Sequence, residues 1–335
     1  MTSPRFGVWA PVYGNHGARH HPADAPDAGY HRNRDLLIRA ERAGFDSTLL
    51  AQHVIHPSNV EDDVLETWST LGALAEATRR IELIGAIKPL LLNPLVFAKL
   101  AANIADISTG RLAINVVSGW FLPELEALGL LAADHDDRYA YTRDWLDTVL
   151  NLWAGKQVDI TGHGGQPALV RPTPEAPPPV YVGGESEPAR ALAAQHADVF
   201  FINGRPRPDV IDDLRGRPRD RKPLRFGLSA FVIARDTEAE AIAELNHLQS
   251  LVDAERRPEI SSGTDPKTQM YKVLAGTRRV GSNGGTLAGL VGSYGQVIER
   301  IQAFRAAGVE LFMLQFQPLE PELNRFADRV IPHFR

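Results

Sequence analysis

No cysteine occurs anywhere in the chain. Disulfides, thiolate nucleophiles and Cys-based zinc sites are therefore excluded. Long apolar runs are missing too, since no window reaches the ~18 consecutive apolar residues that read as a membrane-spanning helix. The opening residues, MTSPRFGVWAP, lack the basic-then-apolar order of a secretory signal. Basic excess is absent: 36 Lys and Arg stand against 41 Asp and Glu, for a formal net charge of −5. The basic residues are scattered, which leaves no footprint for nucleic acid. No short fixed period repeats, and no G-x-G-x-x-G follows the first apolar segment. These absences predict a cytoplasmic protein with neither a membrane nor a nucleic-acid partner.

What remains is ample for a core. The chain has 335 residues, 44% hydrophobic and 23% charged, room for two average domains or one large barrel. Apolar strand-like segments alternate with helical periodicity. The strands are expected at Phe6–Trp9, Phe45–Ala51, Ile81–Ile87, Leu112–Val117, Val180–Val182, Val199–Ile202, Phe226–Ala234 and Val309–Phe316. Between them run helical patterns such as Asn33–Ala43, Glu66–Ala77, Pro94–Ile107, Asp137–Trp153 and Thr237–Glu255. Alternation of this kind implies a parallel sheet covered by helices. Eight units favour a closed (β/α)8 TIM barrel, one domain over residues 1–335. Two irregular stretches interrupt the rhythm, Gly155–Pro179 after strand 4 and Arg256–Leu290 after strand 7. The second, rich in Gly, Ser and Thr, is expected to be a mobile lid.

In such barrels chemistry sits at the C-terminal ends of the strands. That rule selects Trp9, His53, Lys88, Asn115 with Ser118 and Trp120, the turn Gly183–Ser186, Asn203, and Ser229 with Phe231. Asn115 stands out, because a carboxamide inside an apolar strand costs about 1–3 kcal/mol unless it is hydrogen-bonded. Gly183-Gly184-Glu185-Ser186 combines two glycines with a hydroxyl at a helix start, an anion site by construction. Arg138-Tyr139 adds a guanidinium suited to phosphate. A lone histidine such as His53 is more often a structural donor than a catalyst. His16, His20 and His21 lack partners at metal-ligand spacing and are expected in a solvated loop, so no metal is assigned. Asp136-Asp137 fits a helix start better than a carboxylate dyad.

The segments FGVWAP, AIKPLLLNP, GRLAINVVSGWFLPELEALG, HDDRY, YVGGESEPARALAAQHAD with FFING, and GGTLAGLVGS together resemble the bacterial luciferase-like flavin-dependent monooxygenases. Within them the likeness is to the FMNH2-dependent dimethyl sulfone branch. The resemblance covers almost the whole chain and implies a two-component system. A separate NAD(P)H:FMN reductase supplies reduced FMN, O2 is co-substrate, and a small organosulfur compound is oxidised, dimethyl sulfone giving methanesulfinate and formaldehyde. It also implies a homo-oligomer, a dimer or tetramer. By the same likeness Ile87 and Lys88 lie along the flavin ring, and Asn115 and Glu124 contact the ring or ribityl chain. Arg138, Tyr139 and Ser186 then hold the phosphate, His53, Asn115 and Trp120 attend the chemistry, and Trp9, Asn203, Ser229 and Phe231 face substrate.

The alkanesulfonate branch carries an Arg and a His where this chain has Ser229 and Phe231, which favours a neutral substrate here. An alkanesulfonate-type enzyme, an F420-dependent oxidoreductase on the same barrel and a non-enzymatic flavin-binding protein are the alternatives.

Overall fold

The computed structural model describes residues 3–24, 26–130, 135–160, 164, 166–204, 207–255 and 280–335, without the side chains of His135 and Asn203. Arg5–Trp9 (β1), Ser47–Leu50 (β2), Glu82–Ile87 (β3), Leu112–Val116 (β4), Val180–Gly183 (β5), Val199–Asn203 (β6), Arg225–Phe231 (β7) and Val309–Gln315 (β10) close into one parallel barrel. The last strand pairs with the first, with Phe6 opposite Phe312 and Val8 opposite Leu314. Because strand side chains alternate faces, one set fills the barrel: Trp9, Leu49, Ile84, Ala113, Tyr181, Val199, Phe201, Leu311 and Met313. The other set, including Phe6, Val8, Ile114 and Phe312, packs under the helices. Gly7 is required by this filling. A Cβ there would lie 2.5 Å from Ser47 Oγ and 2.6 Å from Met313 Cε. The N-terminal end of the barrel is tied by Glu82, whose Oε2 accepts from Tyr181 Oη at 2.8 Å and Arg5 Nη2 at 2.9 Å.

Helices Tyr30–Arg42 (α1), Thr67–Ala77 (α2), Pro94–Ile107 (α3), Leu122–Ala127 (α4), His135–Trp153 (α5), Glu187–His196 (α6), Pro208–Gly216 (α7), Glu238–Ala254 (α8), Tyr294–Ala306 (α9) and Leu319–Arg329 (α10) follow the strands. Several starts are written in local chemistry. Asn93 accepts from Leu95 N at 2.9 Å with Pro94 in the first turn. Thr237 with Glu240, and Ser293 with Gln296, form reciprocal capping boxes. Caps of this kind contribute about 1 kcal/mol each, and they fix where each strand-to-helix loop must end.

The expected strand Phe226–Ala234 is in fact two. After Phe231 the chain leaves the barrel, with Val232 N donating to Gln315 O at 3.0 Å and Ile233 N to Leu290 O at 2.9 Å. Ile233–Arg235 (β8) then pairs with Val291–Ser293 (β9) in a separate two-stranded parallel sheet. The run FGLSAFVIA is buried on both faces, so no change of period marks the exit.

The first loop also departs from expectation. Gln317 clamps it like an added strand, Oε1 accepting from Ala18 N at 2.6 Å and Nε2 donating to Ala18 O at 2.7 Å. Asp24 accepts from Leu319 N at 3.1 Å. His16 is consequently buried, not solvated, while His20 is exposed as expected. Of the expected lid, residues 256–279 lie outside the described residues. Its end rests on the barrel: Ser282 N donates to Gln315 Oε1 at 3.0 Å, and Gln315 Nε2 donates to Ser282 Oγ at 2.6 Å.

Candidate active site

Inward alternation, continued past the strand ends, directs Trp9, Lys88, Asn115, Gly183, Ser229 and Gln315 toward the barrel mouth. Trp9 donates its indole N–H to Ser229 Oγ at 3.0 Å. Ser229 therefore accepts from the protein and keeps its own hydroxyl proton to donate. Two expectations change here. Ile87 has the opposite parity, and its fully buried side chain packs in the helix layer, so it can offer only backbone to the mouth. Phe231, expected as an open apolar wall, is fully buried in a separate cluster with Ile233, Ala241, Leu248, Val280 and Val291. Gly281 covers it so closely that a Cβ there would stand 2.7 Å from the Phe231 ring. The Asn203 side chain lies outside the described residues.

Next to this group three chain segments meet in a buried charge cluster. Lys88, just past β3, hydrogen-bonds Glu124 Oε2 on α4. Glu124 Oε1 accepts from Val54 N at 2.6 Å. His53, just past β2, places Nδ1 3.2 Å from Lys88 Nζ and 3.6 Å from Glu124 Oε1. Burial raises the Glu124 carboxyl, but the contacts with His53 and the Lys88 charge reverse this and hold it at about 2. Burial lowers the Lys88 ammonium, with Glu124 pulling the other way. His53 is lowered to about 4, by burial first and then by the Lys88 charge. Trp120 and Phe121 stand edge-on to the imidazole at 5.8 and 6.2 Å. Glu124 thus has both oxygens engaged by the protein, and its part at the site is to hold Lys88 and the backbone after β2.

On the neighbouring strands β4 and β5 the arrangement is open. Asn115 Oδ1 is buried and has no hydrogen-bond partner among the described residues. Beside it β5 ends in Gly183, where a Cβ would meet nothing but that oxygen, 4.0 Å away. Gly184 follows with φ +114°, a conformation that favours glycine. Ser186 caps α6 by accepting from Ala189 N. Tyr139 bonds through its hydroxyl with Ser186 and Ser118, although burial raises its pKa. Arg138, in the first turn of α5, is buried beside it. Hydroxyls, a helix N-terminus and a guanidinium thus gather at one end, with an unmet amide oxygen at the other. An orphaned buried oxygen costs about 1–3 kcal/mol, so the residues present fit an elongated ligand with an N–H near Asn115 and an anion near Ser186. The expected FMN has both.

Other members were given no part at the site by sequence reasoning. His16 packs edge-on against Trp9 at 6.0 Å, with Nδ1 3.2 Å from Tyr13 Oη. Burial lowers it to about 4, against the Ala10 carbonyl, which favours the charged form. Glu185 lies in the anion turn, where a bare carboxylate would repel phosphate. Arg207 Nη1 meets it at 2.6 Å. Gln52 Oε1 orients the Lys88 segment by accepting from its N–H at 2.6 Å. A signal existed for Glu185 and Arg207, which sit at the ends of consecutive strands; none existed for His16.

A family model described as luciferase-like monooxygenase matches residues 5–311. The chain is 30% identical, over 99% of its length and 94% of the relative's, to an FMNH2-dependent dimethylsulfone monooxygenase of Pseudomonas fluorescens. It is 31% identical to an enzyme of the same description from Pseudomonas putida, over 90% of this chain and 87% of that one. Among solved structures, DmoA from Hyphomicrobium sulfonivorans superposes with a TM-score of 0.80 at 18% identity, covering 99% of this chain and 88% of DmoA.

Proposed function

The chain belongs to the luciferase-like monooxygenase family, and from that membership we propose that it oxidises a small neutral organosulfur compound, dimethyl sulfone, using O2 and reduced FMN delivered by a separate NAD(P)H:FMN reductase. When bound, FMNH2 would supply two electrons to O2, so that one oxygen atom would leave in formaldehyde and the other in water, with methanesulfinate as the remaining fragment. The protein's share is binding and exclusion of water. Asn115 would accept from the ring system, and Ser186, Tyr139 and Arg138 would hold the phosphate. Trp120 and Phe121 would cover the reacting edge.

The observation that carries the substrate class is the Trp9–Ser229 pair, 3.0 Å apart, on the strand where an anionic substrate would need a cation. Burying a sulfonate without a partner would cost several kcal/mol, whereas a sulfone asks only for donors and an apolar wall. Coupled to an NADH:FMN reductase, the protein should release formaldehyde from dimethyl sulfone and little sulfite from methanesulfonate. Efficient sulfite release would overturn the substrate assignment. Turnover with reduced F420 and none with FMNH2 would overturn the cofactor as well.

A further inference from the structure

The order of distances around His53 decides how its imidazole is protonated. Nδ1 faces Lys88 Nζ at 3.2 Å, while the nearer Glu124 oxygen is 3.6 Å away, too far for a normal N–H···O bond. An ammonium has three donors and no lone pair, so the nitrogen opposite it must accept. Glu124 competes less well at Nδ1: Oε2 holds Lys88, and Oε1, which already takes the Val54 N–H at 2.6 Å, lies farther from Nδ1 than the ammonium does. A neutral imidazole that accepts at one nitrogen carries its proton on the other.

We infer that Lys88 is a positioning residue that fixes His53 as the Nε2–H tautomer, so that the imidazole meets a molecule in the barrel mouth as a hydrogen-bond donor and not as a base.

Three further observations agree. Nε2 makes no hydrogen bond among the described residues, which leaves its proton for a ligand. The ring is held on its edges by Tyr13, Trp120 and Phe121, between 5.8 and 6.2 Å away, so it cannot easily turn over. The titratable groups facing it are Lys88 from the end of β3, Glu124 from α4 and His56 from its own loop. With burial their sum keeps the ring neutral, at about 4. A donor suits a substrate whose polar atoms are oxygens without protons. The tautomer stands on geometry alone, and only its use on such a substrate rests on the function proposed above.

The test is 15N NMR of histidine-labelled, flavin-free protein at neutral pH, with His53 assigned by difference from His53→Gln. The expected signature is an unprotonated, pyridine-type Nδ1 and a pyrrole-type Nε2. In Lys88→Met the pattern should reverse, since Glu124 is then the group nearest Nδ1. In Lys88→Arg, which keeps a cation that cannot accept, the Nε2–H pattern should persist. Should Lys88→Met fail to fold, the wild-type and Lys88→Arg spectra still decide. A protonated Nδ1 in the wild type, alone or with Nε2, overturns the inference. The donor role is read separately: Lys88→Met should lose about 10- to 100-fold in kcat/KM for the sulfone, and Lys88→Arg should recover part of it. An Nε2–H wild type with unchanged turnover in a tautomer-reversed variant would refute the donor role and leave the tautomer standing.

Discussion

Gly183→Ala is the smallest probe of whether the space between β4 and β5 holds a ligand. The added methyl would touch only Asn115 Oδ1, at 4.0 Å, and the backbone there is not in the left-handed region. Folding should tolerate it, and the loss of unfolded-state freedom stabilises by at most about 0.4–1 kcal/mol. A flavin edge lying against Asn115 would meet that methyl directly. Overpacking costs about 1–3 kcal/mol, or roughly 5- to 150-fold in affinity. Gly184→Ala is the contrast. With φ +114°, and Tyr139 Oη and Ala189 Cβ at 3.2 and 3.3 Å from the new atom, it should lose stability as well as binding. Anaerobic titration with FMNH2, followed by flavin absorbance, gives the affinities, and urea melts give the stabilities. A stable Gly183→Ala protein that binds FMNH2 like the wild type would refute the placement of the cofactor.

Arg138→Ala should weaken FMNH2 by about 1.5–3 kcal/mol, the worth of a hydrogen bond to a charged group, and leave riboflavin nearly untouched. Equal losses for both would move the phosphate elsewhere. Stability should also depend on acidity in two windows. His16 and His53 have folded values near 4, below the unfolded one, so the unfolded chain binds more protons between about 6.5 and 4. Stability is full above that window and falls through it by up to about 1.4 kcal/mol per pH unit for each histidine. Glu124, held at about 2, adds a second loss from about 4.5 downward. Urea melts from pH 7 to pH 3 check this, and His16→Phe should flatten the upper window. An unchanged slope in that variant would show that His16 titrates normally.

The barrel was legible because its strands and helices are each locally consistent. Pro94–Ile107, with Asn93 before it and a pure helical period, is bounded as expected. Short apolar segments gave their C-terminal ends, where a barrel places its chemistry, and Asn115 was marked by being polar inside such a segment. The placements that change do so for different reasons. Ile87 was placed along the flavin by resemblance together with Lys88, although adjacent strand residues face opposite ways. Phe231 was assigned by its place on a strand whose exit from the barrel leaves no mark in a run buried on both faces. His16 was assigned to solvent because its burial depends on Gln317, 301 positions away, accepting and donating at Ala18. Contacts of that range write nothing into the local pattern.

The charges at the mouth bear on substrate more strongly than any single residue does. Lys88 is matched by Glu124, and Arg207 by Glu185. His16 and His53, both lowered to about 4 by burial first of all, carry no charge at neutral pH. Ser229 stands bonded to Trp9 on the strand where a sulfonate would need a cation. Among the described residues, an anion entering this side of the barrel would have to strip Lys88 from Glu124, leaving a buried carboxylate uncompensated at about 3–5 kcal/mol. A sulfone needs no such exchange. Its two oxygens only accept, and the mouth offers the Ser229 hydroxyl proton and the His53 Nε2–H without disturbing an existing bond. At the Ser186 end the Arg138 guanidinium and the α6 N-terminus suit a phosphate, so on the proposed reading the mouth takes an anionic cofactor at that end and a neutral substrate beside Ser229.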